Sequence, residues 1–68
     1  MPEDYISLID DLIELRKAKG LSQKQLSVVC GLTQSVIARI ESKKSVPTIT
    51  TFQKITNALG AELILKPL

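Results

Sequence analysis

The 68-residue chain is long enough for one small domain, near the lower size limit for a self-sufficient hydrophobic core. Cys30 is its only cysteine and histidine is absent, which excludes an intrachain disulfide and removes the commonest general base and metal ligand. We therefore expect no metal, no cofactor and no enzymatic activity, and we interpret Cys30 as a core residue.

The net charge of +2 conceals a division of charge along the chain. Residues 1–14 contain five acids and no base, whereas residues 15–61 contain eight bases and one acid, a net charge of +7. This basic segment is typical of a protein that binds a polyanion, although many solvated helices are also rich in lysine. No apolar run is long enough to cross a bilayer and the acidic start is unlike a secretion signal, so we expect a cytoplasmic protein.

The first predicted helix covers about residues 3–19. Apolar residues recur along it at spacings of three and four, which is typical of one helical face. That stripe comprises Tyr5, Leu8, Ile9, Leu12 and Leu15. Acids at the start and bases at the end complement the helix dipole, and Gly20 suits the left-handed residue that ends a helix.

Two short helices follow, and each begins at a capping residue. In "SQKQL", Ser22 and Gln25 have the spacing of a capping box, which predicts a helix over residues 23–30. Thr33 is a second cap and predicts a helix from residue 34 to about residue 42. The connection between the two helices is only three residues long.

The composition of these two helices predicts that they pack across each other. Gly31 permits the positive backbone angle that a three-residue connection demands, and Ser27 is small at the expected point of closest approach. The residues expected to share the core are Leu26, Val29, Ile37 and Ile40. This is the pattern of a helix-turn-helix, whose second helix enters the major groove of DNA.

A fourth helix is predicted over residues 49–59, with Thr48 as its cap. The apolar face expected for it comprises Ile49, Phe52, Ile55 and Leu59. In the final "AELILKPL" the apolar residues alternate, which predicts a short strand. A single strand must pair with something, and we expect the same strand of a second copy; the alternative is that the tail folds onto its own helices.

Residues 15–60 resemble the Cro and lambda-repressor type of helix-turn-helix protein, the XRE family. The stretch is "LRKAKGLSQKQLSVVCGLTQSVIARIESKKSVPTITTFQKITNALG". The positions that match the family's order and spacing are Arg16, residues 20–23, Leu26, Gly31, Ile37, Ile40, Glu41, Pro47 and residues 58–60. Ser27 and Thr56 stand where alanine is usual, and Ser42-Lys43 replaces the common Asn/Arg-Gly.

The resemblance implies an all-α fold, a compact bundle of four to five short helices that contains the helix-turn-helix. Residues 1–60 are then the DNA-binding domain, with the recognition helix at about residues 34–42. Residues 61–68 form the predicted strand, whose Leu63, Ile64 and Leu65 are the expected dimerisation residues.

The recognition helix would present a strip of small or hydrogen-bonding residues on its outer face. A helix close to base edges excludes glutamate, whose carboxylate repels phosphate, whereas glutamine and arginine pair with purines. The resemblance implies base reading by Gln34, Ser35 and Arg39, with Ala38 as a weaker candidate. The structural alternative is that Gln34 and Ser35 are simply favourable first-turn residues.

Phosphate contacts are expected beside the recognition helix. Gln23 begins the preceding helix, where its amide and the helix's backbone N–H groups can meet a phosphate oxygen. The other candidates are Lys24, Thr33, Lys43 and Lys44, with the alternative that the lysines are solvated surface charges.

Glu41 is the only acid in the basic segment. The resemblance implies that Glu41 pairs with Arg16 and so joins the first helix to the end of the recognition helix. Neither residue is then a DNA contact.

The resulting hypothesis is a homodimeric repressor of transcription that binds a palindromic operator in double-stranded DNA. A chain this short leaves no room for a domain that senses a small molecule, and no membrane contact is expected. The main alternative is a protein similar to the HipB type of antitoxin, whose primary role is to bind a partner toxin. A third class is an adaptor that has lost DNA binding.

Overall fold

Four α-helices follow one another in residues 4–64, the part of the chain that the computed structural model describes. They are α1 (Asp4–Ala18), α2 (Gln23–Cys30), α3 (Gln34–Glu41) and α4 (Ile49–Ala58). The expected all-α fold is therefore confirmed, and within the described residues the number of helices is four.

Side-chain caps fix where three of the helices begin. The Ser22 hydroxyl accepts a hydrogen bond from the Gln25 backbone N–H at 3.0 Å, and the Gln25 side chain accepts one from the Ser22 N–H at 2.8 Å. Thr33 and Thr48 each accept a backbone N–H three residues later, at 3.2 Å in both cases. These contacts satisfy N–H groups that have no partner within the first turn of a helix. The sequence predicted all three starts correctly.

The connection from α2 to α3 depends on a left-handed residue at Gly31. Its φ angle is +74°, and its backbone N–H donates to the Ser27 carbonyl. A Cβ atom at Gly31 would meet no atom within 4 Å, so the requirement for glycine is conformational and not steric.

The end of α3 has the same left-handed geometry without a glycine. Lys43 has φ +64°, its N–H donates to the Ile40 carbonyl at 3.0 Å, and the Lys44 N–H donates to the Arg39 carbonyl at 3.0 Å. This pair of hydrogen bonds is a Schellman motif, which usually places glycine at this position. Lys43 adopts the left-handed conformation that glycine usually supplies here, and this conformation costs roughly 1–2 kcal/mol for a residue with a side chain.

All four helices contribute to one hydrophobic core. The pairs α1–α3, α2–α3 and α2–α4 are in contact. The buried residues are Ile9, Leu12, Leu26, Ile37, Ile40, Phe52, Ile55 and Leu59. Cys30 is half-buried and packs against this core, as the sequence predicted.

Three residues expected in the core lie at the surface. Leu8 is 44% exposed, Val29 is 58% exposed and Ile49 is 68% exposed. Helical spacing identifies the centre of an apolar face, but its width depends on how much of that face neighbouring helices cover. In α2 the covered face is the one carrying Leu26, which leaves Val29 outside. Ile49 is the first residue of α4, at the edge of the bundle.

The predicted C-terminal strand is not supported. Residues 61–64 form neither helix nor strand, and Leu65 lies outside the described residues. A strand requires a neighbouring strand for its backbone hydrogen bonds, and residues 4–64 contain none. Leu63 instead packs against the core of its own chain, as in the alternative in which the tail folds back, while Ile64 is exposed.

A buried ion pair ties α1 to the last residue of α3. Arg16 Nε donates to Glu41 Oε2 at 2.7 Å, and Arg16 Nη2 donates to Glu41 Oε1 at 3.0 Å. Arg16 Nη1 also donates to the Leu21 carbonyl, at 2.7 Å. The side chains of Arg16 and Glu41 are only 11% and 6% exposed. The guanidinium therefore joins α1, the α1–α2 loop and α3 in one contact network.

Replacing Arg16 with alanine should lower the free energy of unfolding by about 3–5 kcal/mol, because the Glu41 carboxylate would remain buried without its partner. The control is Arg39→Ala, which removes the other, exposed arginine and should change stability by less than about 0.5 kcal/mol. Urea unfolding followed by circular dichroism measures both. If Arg16→Ala does not fold, Arg16→Lys, which loses the two-point contact, should show an intermediate loss. Equal stability of the Arg16 variants and Arg39→Ala would contradict this role.

Candidate nucleic-acid interface

The two faces of α3 differ sharply in chemistry. Ile37 and Ile40 are buried against the core, whereas Gln34, Ser35 and Arg39 are exposed on the outer face. Ala38, on the same helix, is half-buried. The structure therefore places three of the four residues predicted to read bases together on a solvent-facing surface, and the fourth, Ala38, is partly exposed.

The first residue of α2 is connected to the buried ion pair. The Gln23 amide nitrogen donates to Glu41 Oε1 at 3.0 Å, and the side chain is half-buried. One amide N–H and the amide oxygen of Gln23 are not used in this contact. Glu41 thus receives hydrogen bonds from both Arg16 and Gln23, and it fixes the start of α2 relative to the end of α3.

The Gln23–Glu41 contact was not predicted from the sequence. The two residues lie 18 positions apart, and neither helical spacing nor charge pairing links a glutamine to a particular glutamate. The contact becomes visible only in the folded structure, where α2 and α3 bring the two side chains together.

The other predicted phosphate-binding residues surround α3. Lys24, Lys43 and Lys44 are exposed, as is Thr33, whose hydroxyl oxygen caps α3. Lys43 Nζ lies 2.6 Å from Asp10 Oδ1 on α1, a contact that the sequence did not predict. The interface therefore combines a polar helix face with exposed lysines, of which Lys43 and Lys44 follow the C-terminal end of α3.

A second surface is apolar and shares no residue with the candidate interface. An open cavity of about 530 Å³ lies between the start of α1, the α3–α4 loop, the first turns of α4 and residues 63–64. It is here called the apolar groove. Its lining residues are Tyr5, Leu8, Val46, Pro47, Ile49, Phe52, Gln53, Leu63 and Ile64. Two of the predicted dimerisation residues, Leu63 and Ile64, are among them. Leu8 and Ile49, which the sequence assigned to the core, are exposed here.

The described part of the chain contains neither a candidate metal site nor a membrane-spanning helix. Residues 4–64 bring together no group of three or more side chains that could hold a metal ion. None of their four helices is long and apolar enough to cross a membrane.

Comparison with known proteins extends the likeness over most of the chain. A family model described as helix-turn-helix matches residues 12–65. An uncharacterised HTH-type transcriptional regulator of Haemophilus influenzae is 41% identical over 63 residues, covering 93% of this chain and 64% of that protein. The HTH-type transcriptional regulator PuuR of Escherichia coli is 42% identical over 52 residues, covering 76% of this chain and 28% of that protein.

Similarity also extends to proteins described as antitoxins or as parts of toxin–antitoxin modules. Antitoxin HigA1 of Mycobacterium tuberculosis is 36% identical over 63 residues, covering 93% of this chain and 42% of that protein. The chain thus spans less than two-thirds of each of these three relatives. A solved structure described as a toxin–antitoxin module from Streptococcus pneumoniae superimposes with a TM-score of 0.79 at 39% identity, covering 98% of this chain and 74% of that one.

The matched family model covers more than half of the chain, and the matched residues include α2, the Gly31 turn and α3. In helix-turn-helix proteins the second helix of the motif enters the major groove of DNA. The chain belongs to the helix-turn-helix family of transcriptional regulators of the Cro/C1 (XRE) type.

Proposed function

We propose that the protein is a sequence-specific regulator of transcription that places α3 in the major groove of double-stranded DNA. The observation that carries this proposal is the exposed face of α3, where Gln34, Ser35 and Arg39 project opposite the buried Ile37 and Ile40. Such a helix can lie against base edges without exposing apolar core residues to the groove.

Each residue on this face has a partner among the base edges of the major groove. Glutamine at position 34 can make two hydrogen bonds to adenine, and arginine at position 39 can make two to guanine. Ser35 can donate or accept a hydrogen bond, and the Ala38 methyl can contact the methyl group of thymine. Together they supply enough hydrogen bonds to distinguish a short sequence.

Residues around α3 would hold the DNA backbone. Gln23 is placed by Glu41 at the N-terminus of α2, where its second amide N–H and the backbone N–H groups favour a phosphate oxygen. Lys43 and Lys44 supply positive charge just after the end of α3, and Lys24 and Thr33 are further candidates. Arg16 and Glu41 would not contact DNA, because both side chains are almost fully buried. Their role is to orient α2 and α3.

The regulator would act as a dimer and repress by occupying a promoter. One α3 helix contacts only a few base pairs, whereas a two-fold dimer reads two half-sites about one helical turn apart. The apolar groove supports a dimer, since Ile64, Ile49 and Val46 are strongly exposed beside it. In this arrangement the segment containing Leu63 and Ile64 packs against a second copy.

A second candidate function is that of an antitoxin. The similarity to antitoxin HigA1 and to a structure from a toxin–antitoxin module favours it. In that case the apolar groove would bind a toxin, and DNA binding would regulate expression of the pair. Co-expression with the product of a neighbouring toxin-like reading frame tests this candidate: a stable complex supports it, and separate elution of the two chains contradicts it.

Replacing Gln34 with alanine should change the preferred DNA sequence, because one base pair loses a two-point contact worth about 1–3 kcal/mol of discrimination. Selection of bound sequences from random duplexes, carried out in parallel for the wild type and the variant, measures the change. The control is Lys44→Ala, which should weaken binding to all sequences alike and leave the preferred sequence unchanged. An unchanged preference in Gln34→Ala would contradict the assignment of Gln34.

Replacing Ile64 with glutamate should convert the dimer to a monomer, because a charge would be buried in the apolar contact. The matched control is Val28→Glu on α2, since Val28 is 76% exposed, Ile64 is 74% exposed, and Val28 does not line the apolar groove. Sedimentation equilibrium measures the mass of both variants. A dimer that persists in Ile64→Glu, or a wild-type chain that is monomeric, would contradict dimerisation through this groove.

A further inference from the structure

Lys43, a proposed phosphate contact, forms an ion pair with Asp10 of α1. Its Nζ atom lies 2.6 Å from Asp10 Oδ1, across 33 positions of sequence. The Lys43 side chain is 31% exposed and that of Asp10 is 57% exposed, so water reaches both groups. The contact links the acidic first half of α1 to the loop that follows α3.

The backbone conformation at the end of α3 fixes the position of the Lys43 Cα atom. Lys43 is the left-handed residue of the Schellman motif at the end of α3, with φ +64°. The same motif holds the Lys44 N–H against the Arg39 carbonyl at 3.0 Å, and the Ser42 hydroxyl donates to that carbonyl at 3.1 Å. The lysine therefore stands next to the backbone of Arg39, at the edge of the proposed DNA-binding face.

An exposed ion pair of this kind is weak. Such pairs contribute little because water and salt screen both charges. A DNA phosphate can therefore replace the carboxylate of Asp10 as the partner of Lys43. Asp10 still weakens the binding of that phosphate, however, because its negative charge repels the phosphate.

We propose that Asp10 competes with DNA phosphate for Lys43 and thereby lowers the sequence-independent affinity of the protein for DNA. This inference rests on the proposed DNA-binding function. Sequence-independent binding arises almost entirely from phosphate contacts, whereas sequence-specific binding also includes contacts to bases. Because Asp10 pairs with Lys43, it weakens binding to random DNA, and it contacts none of the residues proposed to read bases.

The inference is tested with Asp10→Asn and a control of identical charge change, Asp11→Asn. Asp11 is the next residue on α1, is also exposed, and does not contact Lys43. Binding of the full chain to a mixed-sequence duplex is measured by fluorescence anisotropy over a series of salt concentrations, so no operator needs to be known. Circular dichroism checks that both variants remain folded.

Asp10→Asn should bind about two- to fivefold more tightly than Asp11→Asn, the range expected for one exposed charge pair. The slope of log affinity against log salt concentration should become steeper by up to about 0.9, as for one added phosphate contact. In a Lys43→Gln background the difference between the two asparagine variants should disappear, because the residue for which Asp10 competes is absent.

Three results would overturn the inference. Equal affinities of Asp10→Asn and Asp11→Asn would show that only net charge matters. Weaker binding by Asp10→Asn would show that Asp10 positions Lys43 for DNA and does not compete for it. A wild-type chain with no salt-dependent binding to any duplex would overturn the proposed function, and the inference with it.

Discussion

The contact between Arg16 and Glu41 is the interaction on which the arrangement of the candidate interface depends. Both side chains are almost fully buried, and the guanidinium makes a two-point contact with the carboxylate. Because Glu41 also receives a hydrogen bond from Gln23, one carboxylate holds the end of α1, the start of α2 and the end of α3 together. A displaced carboxylate would change the angle between α2 and α3, and with it the face that α3 presents.

The basic residues of the protein have three different roles, which the net charge of +2 does not reveal. Arg16 is buried and structural, Arg39 is exposed on the outer face of α3, and Lys43 is shared with an acid of α1. The positive charge available to DNA is therefore smaller than the basic segment suggests. The apolar groove shares no residue with the outer face of α3, so the residues offered to a protein partner differ from those offered to DNA.

Features that depend on neighbouring residues were predictable from the sequence. The starts of α2, α3 and α4 follow from Ser22, Thr33 and Thr48, because a cap acts within one turn of its helix. Exposure of Leu8 and Val29 was not predictable, since it depends on which helices cover them. The strand was predicted from alternation alone, whereas a strand forms only with a partner. Contacts such as Gln23–Glu41 and Asp10–Lys43 join distant parts of the chain and required the folded structure.

The most direct test of the account is a titration of the ¹⁵N-labelled protein with duplex DNA, followed through its backbone amide resonances. We expect the largest changes at Gln34, Ser35 and Arg39, with further changes at Gln23 and in the loop after α3, and little change around Ile49 in the apolar groove. Changes concentrated in the apolar groove, with the resonances of α3 unmoved, would contradict the claim that this helix meets DNA.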